Sequence, residues 1–336
     1  MSSLSDVTIV IPSFNRPKYL RRANFFWSKY DVRVIILDGS LDEMINVKWG
    51  NNVEYIHKPI SFFKRLRFAS TLVDTKYVSL LSDDEFYLPS SIESVLNELD
   101  KDSDLVSCGG QCVLFDYSNG KVNGRPFYPK LKNYNVSSVN PLDRMNYHMS
   151  NYVPSTLYSI MKVDVWNRAI DIMTEQIFDV YALTELQFEI ATSFYGKTKN
   201  INQLFWLRSN ENVPVRNEKG LDPNKSFYKW WKSEESDIFL QRQEFIELMT
   251  GKLAQEFNDS TENLKEGILK AFDFYHNQCR KSIYFRMIQK ITRYHNSVRP
   301  TRLDKTISEF DEKGLEVDKS DIENIKKAIK KFAKVS

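Results

Sequence analysis

The chain has 336 residues, about twice a common single domain, with 42% apolar and 27% charged residues; it can bury a full core and is not a disordered, collagen-like or disulfide-scaffold protein. Its formal net charge of +3 is too small to argue for a nucleic-acid partner, and it is uneven, because residues 280–336 hold 15 Lys+Arg against 8 Asp+Glu. No run approaches the roughly 18 consecutive apolar residues of a membrane span, no signal-peptide order opens the chain, and Cys108, Cys112 and Cys279 lack zinc-like spacing, so a reducing, cytoplasmic setting is expected.

In chain order, Val7–Ile11 is a β-branched run predicted to stop at Pro12, and Lys18–Tyr30 carries apolar residues at helical spacing. Val32–Leu37 is a second apolar strand closed by Asp38-Gly39-Ser40, so the opening reads as a βαβ unit. A third strand is predicted at 52–56, a helix with Lys64, Arg65 and Arg67 at 61–74, and a fourth strand at Tyr77–Leu81 that runs into Ser82-Asp83-Asp84-Glu85. A helix follows Pro89. Two strands, from Leu105 and from Lys121, meet at an Asn119-Gly120 hairpin turn. A helix is expected over 179–194, ending at Gly196 as a left-handed cap, with a last strand at Leu204–Leu207.

Beyond about residue 215 strand signals fade and helical spacing takes over, which predicts an α/β domain over 1–215 and a helical appendage over 216–336. The last helix pairs Ser320 with Glu323 as a capping box. It sets Ile322, Ile325, Ile329 and Phe332 on one face and lysines, Lys334 among them, largely away from it. Such a helix packs on its own domain or makes a peripheral contact at the inner face of an anionic membrane.

The three consecutive acids ahead of Pro89 are the chief chemical signal. A buried strand delivers them to its carboxyl end, where open α/β sheets bind ligands, and Mg²⁺ or Mn²⁺ takes such carboxylates together with substrate phosphates. Asp83, Asp84 and Glu85 are therefore the candidate metal ligands. Arg65, Arg67, Arg208 and Arg216 are candidates for holding a diphosphate, the last two flanking a possible lid at 210–214.

With the Val7–Arg16 segment, the Ile35–Ser40 segment and the acidic cluster in order, residues 6–210 resemble the GT-A nucleotide-sugar glycosyltransferases of the family-2 type. The resemblance implies a Rossmann-like donor domain and a glycosyltransferase moving a sugar from a nucleotide-sugar donor to a glycan or lipid-linked hydroxyl acceptor, as in polysaccharide biosynthesis. It gives the donor site to Pro12, Ser13, Asn15, Arg16, Asp38 and Asp83, and the metal-binding second Asp of the family's Asp-x-Asp signature to Asp84. The first Asp of that signature is Ser82 here. It also places the catalytic acid on Glu185, where the following acid of the family is Leu186. Asp179 is the alternative base, and Glu189, four residues on, shares the helix face of Glu185. Tyr147, His148 and Tyr152 fall where acceptor-side residues tend to lie. A base at Glu185 implies inversion.

Other classes fit less well. No Gly-x-Gly-x-x-Gly turn or P-loop follows the first strand, which argues against dinucleotide and P-loop ATP sites and weakens a sugar nucleotidyltransferase. A catalytically silent scaffold or membrane-associated module is the alternative from a different class, separated from an enzyme by its lack of sugar-nucleotide turnover.

Overall fold

A computed structural model describes residues 1–212, 226–292 and 301–333. Ten strands form one sheet: β1 (Val7–Ser13), β2 (Arg33–Asp38), β3 (Val53–His57), β4 (Tyr77–Leu80), β5 (Phe86–Tyr87), β6 (Leu105–Ser118), β7 (Lys121–Phe127), β8 (Asn135–Val136), β9 (Ile160–Lys162) and β10 (Lys197–Ser209). The α/β helices are α1 (Pro17–Trp27), α2 (Phe62–Ser70), α3 (Pro89–Lys101), α4 (Pro141–Ser150), α5 (Val163–Glu175) and α6 (Tyr181–Tyr195). The remainder is α7 (Phe227–Trp231), α8 (Ser236–Ala254), α9 (Thr261–Thr292), α10 (Leu303–Glu312) and α11 (Lys319–Ala333).

The sheet order is β3-β2-β1-β4-β9-β6-β10-β5, with β7 on β6 and β8 on β10. Strands β3, β2, β1 and β4 run parallel, β9 is antiparallel to both β4 and β6, and β10 is parallel to β6. The carboxyl ends of β1, β2, β4, β6 and β10 therefore share one edge. The chain order reverses between β1 and β4, which makes that gap the switch point where α/β sheets bind ligands.

Strand β1 outruns its expected stop, and Pro12 pairs in register with Leu37. The Leu81 N–H donates to the Val10 carbonyl at 3.0 Å, so alternation aims the Pro12 nitrogen to the β4 side as well, past the end of β4, where no ladder donor is required. The Asn119-Gly120 turn forms as expected, both residues having positive φ. Gly196 is extended, not left-handed. A Cβ there would meet Val106 Cγ1 at 2.2 Å, so its small size, not its turn freedom, is what the site needs.

One face of the sheet is covered by a core in which Phe26, Trp27, Ile92 and Leu96 join the strands. The other face packs on α5 and α6, whose Trp166, Ile170, Leu183 and Phe188 are buried with α8 and α9 residues. The expected boundary at 215 lies outside the described residues, but the helical reading beyond it holds from α7 onward. Helices α10 and α11 return to the first core: Leu303, Ile307, Ile322, Ile325 and Ile329 are buried in it. Asp321 accepts from the Ser90 N–H and hydroxyl at 3.0 and 2.8 Å, capping α3. The start of α11 is itself capped by Asp318, which accepts from the Ser320 and Asp321 N–H groups, and not by the expected Ser320 box. Among the described residues no helix is long and apolar enough to cross a membrane.

Candidate active site

Strand β1 ends at Ser13, whose hydroxyl donates to Asp83 Oδ2 at 2.6 Å across the switch point. Asn15 takes φ 55°, a left-handed turn that asparagine tolerates, and its N–H donates to the Ser40 hydroxyl at 2.8 Å. This turn swings Arg16 over the acids, with Nη1 3.0 Å from Asp83 and 3.6 Å from Asp84. Burial opposes the Arg16 charge, yet Asp83 and then Asp84 outweigh it and raise its pKa.

Asp38 is buried at the end of β2, and its carboxylate accepts from the Ser40 N–H and hydroxyl and, at 2.9 Å, from Tyr55. Arg65 lies against this turn: a Cβ on Gly39 would fall 1.5 Å from its Nη1, so only glycine admits the guanidinium there. Arg67 does not reach the cluster. It is 49% exposed and bridges Asp171 and Glu175 of α5, both at 2.7 Å, which removes it from the donor-site candidates.

The acids themselves are buried and turned apart. Asp83 is held by Ser13 and Arg16, Asp84 accepts from Asn212 Nδ2 at 2.8 Å, and Glu85 accepts from Trp206 Nε1 at 2.8 Å with Arg208 Nε 3.8 Å away. Burial, then the Asp84 charge, pushes Asp83 up to about 6 and Glu85 up to about 8. Among the described residues no three His, Cys, Asp or Glu side chains are grouped to hold a metal ion. The expected three-carboxylate ligand set is therefore not formed. Asp84, whose Oδ1 takes no hydrogen bond among the described residues, still fits the minimal arrangement of one carboxylate plus substrate phosphate.

Several residues reach this edge that the sequence reading did not single out. Buried Arg22 donates to the Asp84 carbonyl at 2.7 Å and pairs with Glu211 at 2.6 Å, and Tyr19 donates to Asn212 at 3.1 Å. The segment after β10 thus comes down on the acids at Glu211 and Asn212, while Val213, Pro214 and Arg216 lie outside the described residues. Arg208 lies over the rings of Phe127, Tyr128 and Trp206 and bonds the Tyr128 hydroxyl.

On α6, partly exposed Glu185 accepts from the Tyr152 hydroxyl. Burial raises it to about 7; the Tyr152 bond opposes that shift and the Glu189 charge adds to it. Asp179, before α6, has Gln241 Nε2 of α8 at 3.5 Å. Glu189 is fully buried: its oxygens accept from the Thr156 and Leu157 N–H groups at 3.0–3.2 Å, and His148 Nε2 is 3.0 Å away. It braces a loop and has no access to substrate, which corrects its candidacy as base. His148 is equally buried, its Nδ1 at 2.5 Å from the Tyr134 hydroxyl, and cannot touch an acceptor. Tyr147 is 48% exposed, on the surface side of α4, and Tyr152 is committed to Glu185.

An open surface cavity of about 820 Å³ beside Ser2, Lys76 and Asp100 lies at the opposite ends of the strands, at the start of β1 and β4, so it is unrelated to this chemistry.

A switch point that brings buried acids, arginines and a raised-pKa glutamate to one sheet edge is where open α/β sheets bind ligands. Residues 8–152 match the model of glycosyl transferase family 2, so that stretch of the chain is similar to that family. Uncharacterized glycosyltransferases of Rickettsia typhi and Rickettsia prowazekii are 31% and 32% identical over 117 residues, 32% of this chain. The match spans 37% of the length of these two relatives. The structure of Staphylococcus aureus TarS 1–349 in complex with UDP-GlcNAc is 12% identical with a TM-score of 0.49, covering 79% of this chain and 71% of that one.

Proposed function

We propose that this chain transfers a sugar from a nucleotide-sugar donor to a hydroxyl acceptor by a single displacement with inversion. Glu185 is the general base. The observation that carries this is its carboxyl group, partly exposed, raised to about 7 and oriented by Tyr152, since a base works best with a pKa near the working pH. Asp179 remains the runner-up.

The donor lies at the switch point, its nucleotide against the Pro12–Arg16 loop and the Asp38 turn, with Arg65 behind that turn. Arg16, beside Asp83 and Asp84, and Arg208, beside Glu85, supply fixed positive charge. Asp84 would hold Mn²⁺ or Mg²⁺ together with the donor diphosphate, where the ion supplies Lewis-acid neutralisation of the leaving group. A glycan or lipid-linked acceptor, polysaccharide biosynthesis and a cytoplasmic setting with peripheral membrane contact belong to the same reading.

The test is turnover of a panel of nucleotide sugars by the full chain with Mn²⁺, beside Glu185→Gln. We expect wild-type donor consumption and a loss of about 10²-fold or more in the variant, with donor affinity within twofold by calorimetry. Wild-type rates in Glu185→Gln would move the base to Asp179. No consumption of any donor would favour the silent scaffold.

A further inference from the structure

Tyr158 belongs to an aromatic stack beside Glu85. Its ring stacks on Trp206 at 4.5 Å and 20°, and Tyr128 stacks on Trp206 at 6.0 Å and 23°. Trp206 is in turn fixed by its Nε1 bond to Glu85. The loop that carries Tyr158 is braced from below. Glu189 accepts from the N–H groups of Thr156 and Leu157, and the Ser159 hydroxyl donates to the Thr156 carbonyl at 2.6 Å. The Ser79 hydroxyl donates to the Ser159 carbonyl at 2.6 Å.

The loop is pinned at its backbone and stacked at its ring, while the hydroxyl of partly exposed Tyr158 makes no hydrogen bond among the described residues. Burial and then the charges of Glu85 and Glu185 hold its pKa well above the usual phenol, so it stays protonated as a hydrogen-bond donor. A pyranose offers what such a group lacks, with apolar C–H faces for aromatic rings and hydroxyls for a phenol and a guanidinium.

We propose that Tyr158, backed by Trp206 and Tyr128, seats the sugar ring of the nucleotide donor and contributes affinity for the sugar, not for the nucleotide. This rests on the proposed function. In an in-line displacement the transferred sugar lies between the leaving diphosphate, on the Glu85 side, and the base, Glu185. Tyr158, stacked on the Trp206 that holds Glu85, is the group placed to meet it.

The experiment measures binding of UDP, GDP, UDP-glucose, UDP-GlcNAc and GDP-mannose to the full chain with Mn²⁺ by calorimetry. For the conjugate that wild type binds, Tyr158→Ala is expected to weaken affinity at least tenfold while its nucleoside diphosphate stays within twofold. Tyr158→Phe keeps the stack and removes only the hydroxyl, and is expected to lose about threefold to tenfold for the conjugate alone. Equal losses for conjugate and diphosphate, or none in Tyr158→Phe, overturn the sugar seat while leaving the glycosyltransferase reading standing. Failure of wild type to bind any of the five overturns that reading and the seat with it.

Discussion

Glu85, Asp83 and Glu185 hold their protons longer than free carboxyls do because the chain removes them from water beside other acids. A folded-state pKa above the unfolded one means that the native form binds more protons across the interval, so stability falls as pH rises through it. For Glu85 that interval runs from 4.5 to about 8. Glu85→Gln, which keeps an acceptor for Trp206, is expected to stabilise the protein at pH 8 by on the order of 2–4 kcal/mol, with the gain vanishing near pH 4.5. Thermal melts of both proteins at pH 4.5, 6.5 and 8 check this; a constant gap across pH would remove the protonation argument. The same physics sets a kinetic expectation at Glu185, where transfer should lose rate as pH falls through about 7. Tyr152→Phe removes the bond that favours the charged form, so the acidic limb of kcat/KM should move up by roughly one unit. A limb that stays in place would show that Glu185 is not the group being titrated.

At the scale of elements, the strand–loop–helix order and the acidic strand end were legible because each is written in adjacent residues: a β-branched run, a turn, then 3.6-residue spacing. What adjacency does not encode is which polar side chain ends up facing solvent. The resemblance gave His148 to the acceptor side and four-residue spacing from Glu185 made Glu189 a rival base, yet α4 and α6 press them together as a brace for the loop at 156–157. Tyr158 and Trp206 went unnoticed because aromatics are ordinarily core, and Arg22 because a helix arginine is ordinarily a solvated face; only the fold brings Trp206 to Glu85 and Arg22 to the Asp84 carbonyl. The misplaced stop at Pro12 has a similar origin: the sequence does not say on which side of a strand the missing N–H will point. The brace itself is testable. Glu189→Gln puts an amide N–H₂ against backbone N–H donors or against His148, and should cost about 2–3 kcal/mol in urea unfolding. A cost below about 0.5 kcal/mol would mean that the loop is held by Ser79 and Ser159 alone.

For the whole molecule, the decisive point is where the basic C-terminal charge sits relative to the core. The amphipathic pattern of α11 predicted its buried face correctly, and the structure supplies the partner: Ile325 and Ile329 lie in the core shared with β1, β2 and α1. Lys331 covers Phe25 of α1 at 3.9 Å, and Lys326 pairs with Asp304 and Glu323. With its apolar face occupied, any attraction of α11 for an anionic membrane is left to lysines such as Lys327 and Lys330 at the surface, and so is screened by salt. The packing also couples the last helix to the sheet domain, because α11 contributes Asp321 to the cap of α3, the helix that follows the acidic strand end. Ile325→Ala should therefore cost about 2–5 kcal/mol and lower the unfolding midpoint of the whole sheet domain, not of a separable tail. Urea unfolding followed by far-ultraviolet circular dichroism and by tryptophan fluorescence, to which buried Trp27 and Trp206 contribute, reads both parts. Coincident, shifted transitions are the expected result. A low-denaturant step in the helical signal, with the fluorescence midpoint unmoved, would show that α10 and α11 unfold independently of the domain that holds the candidate site.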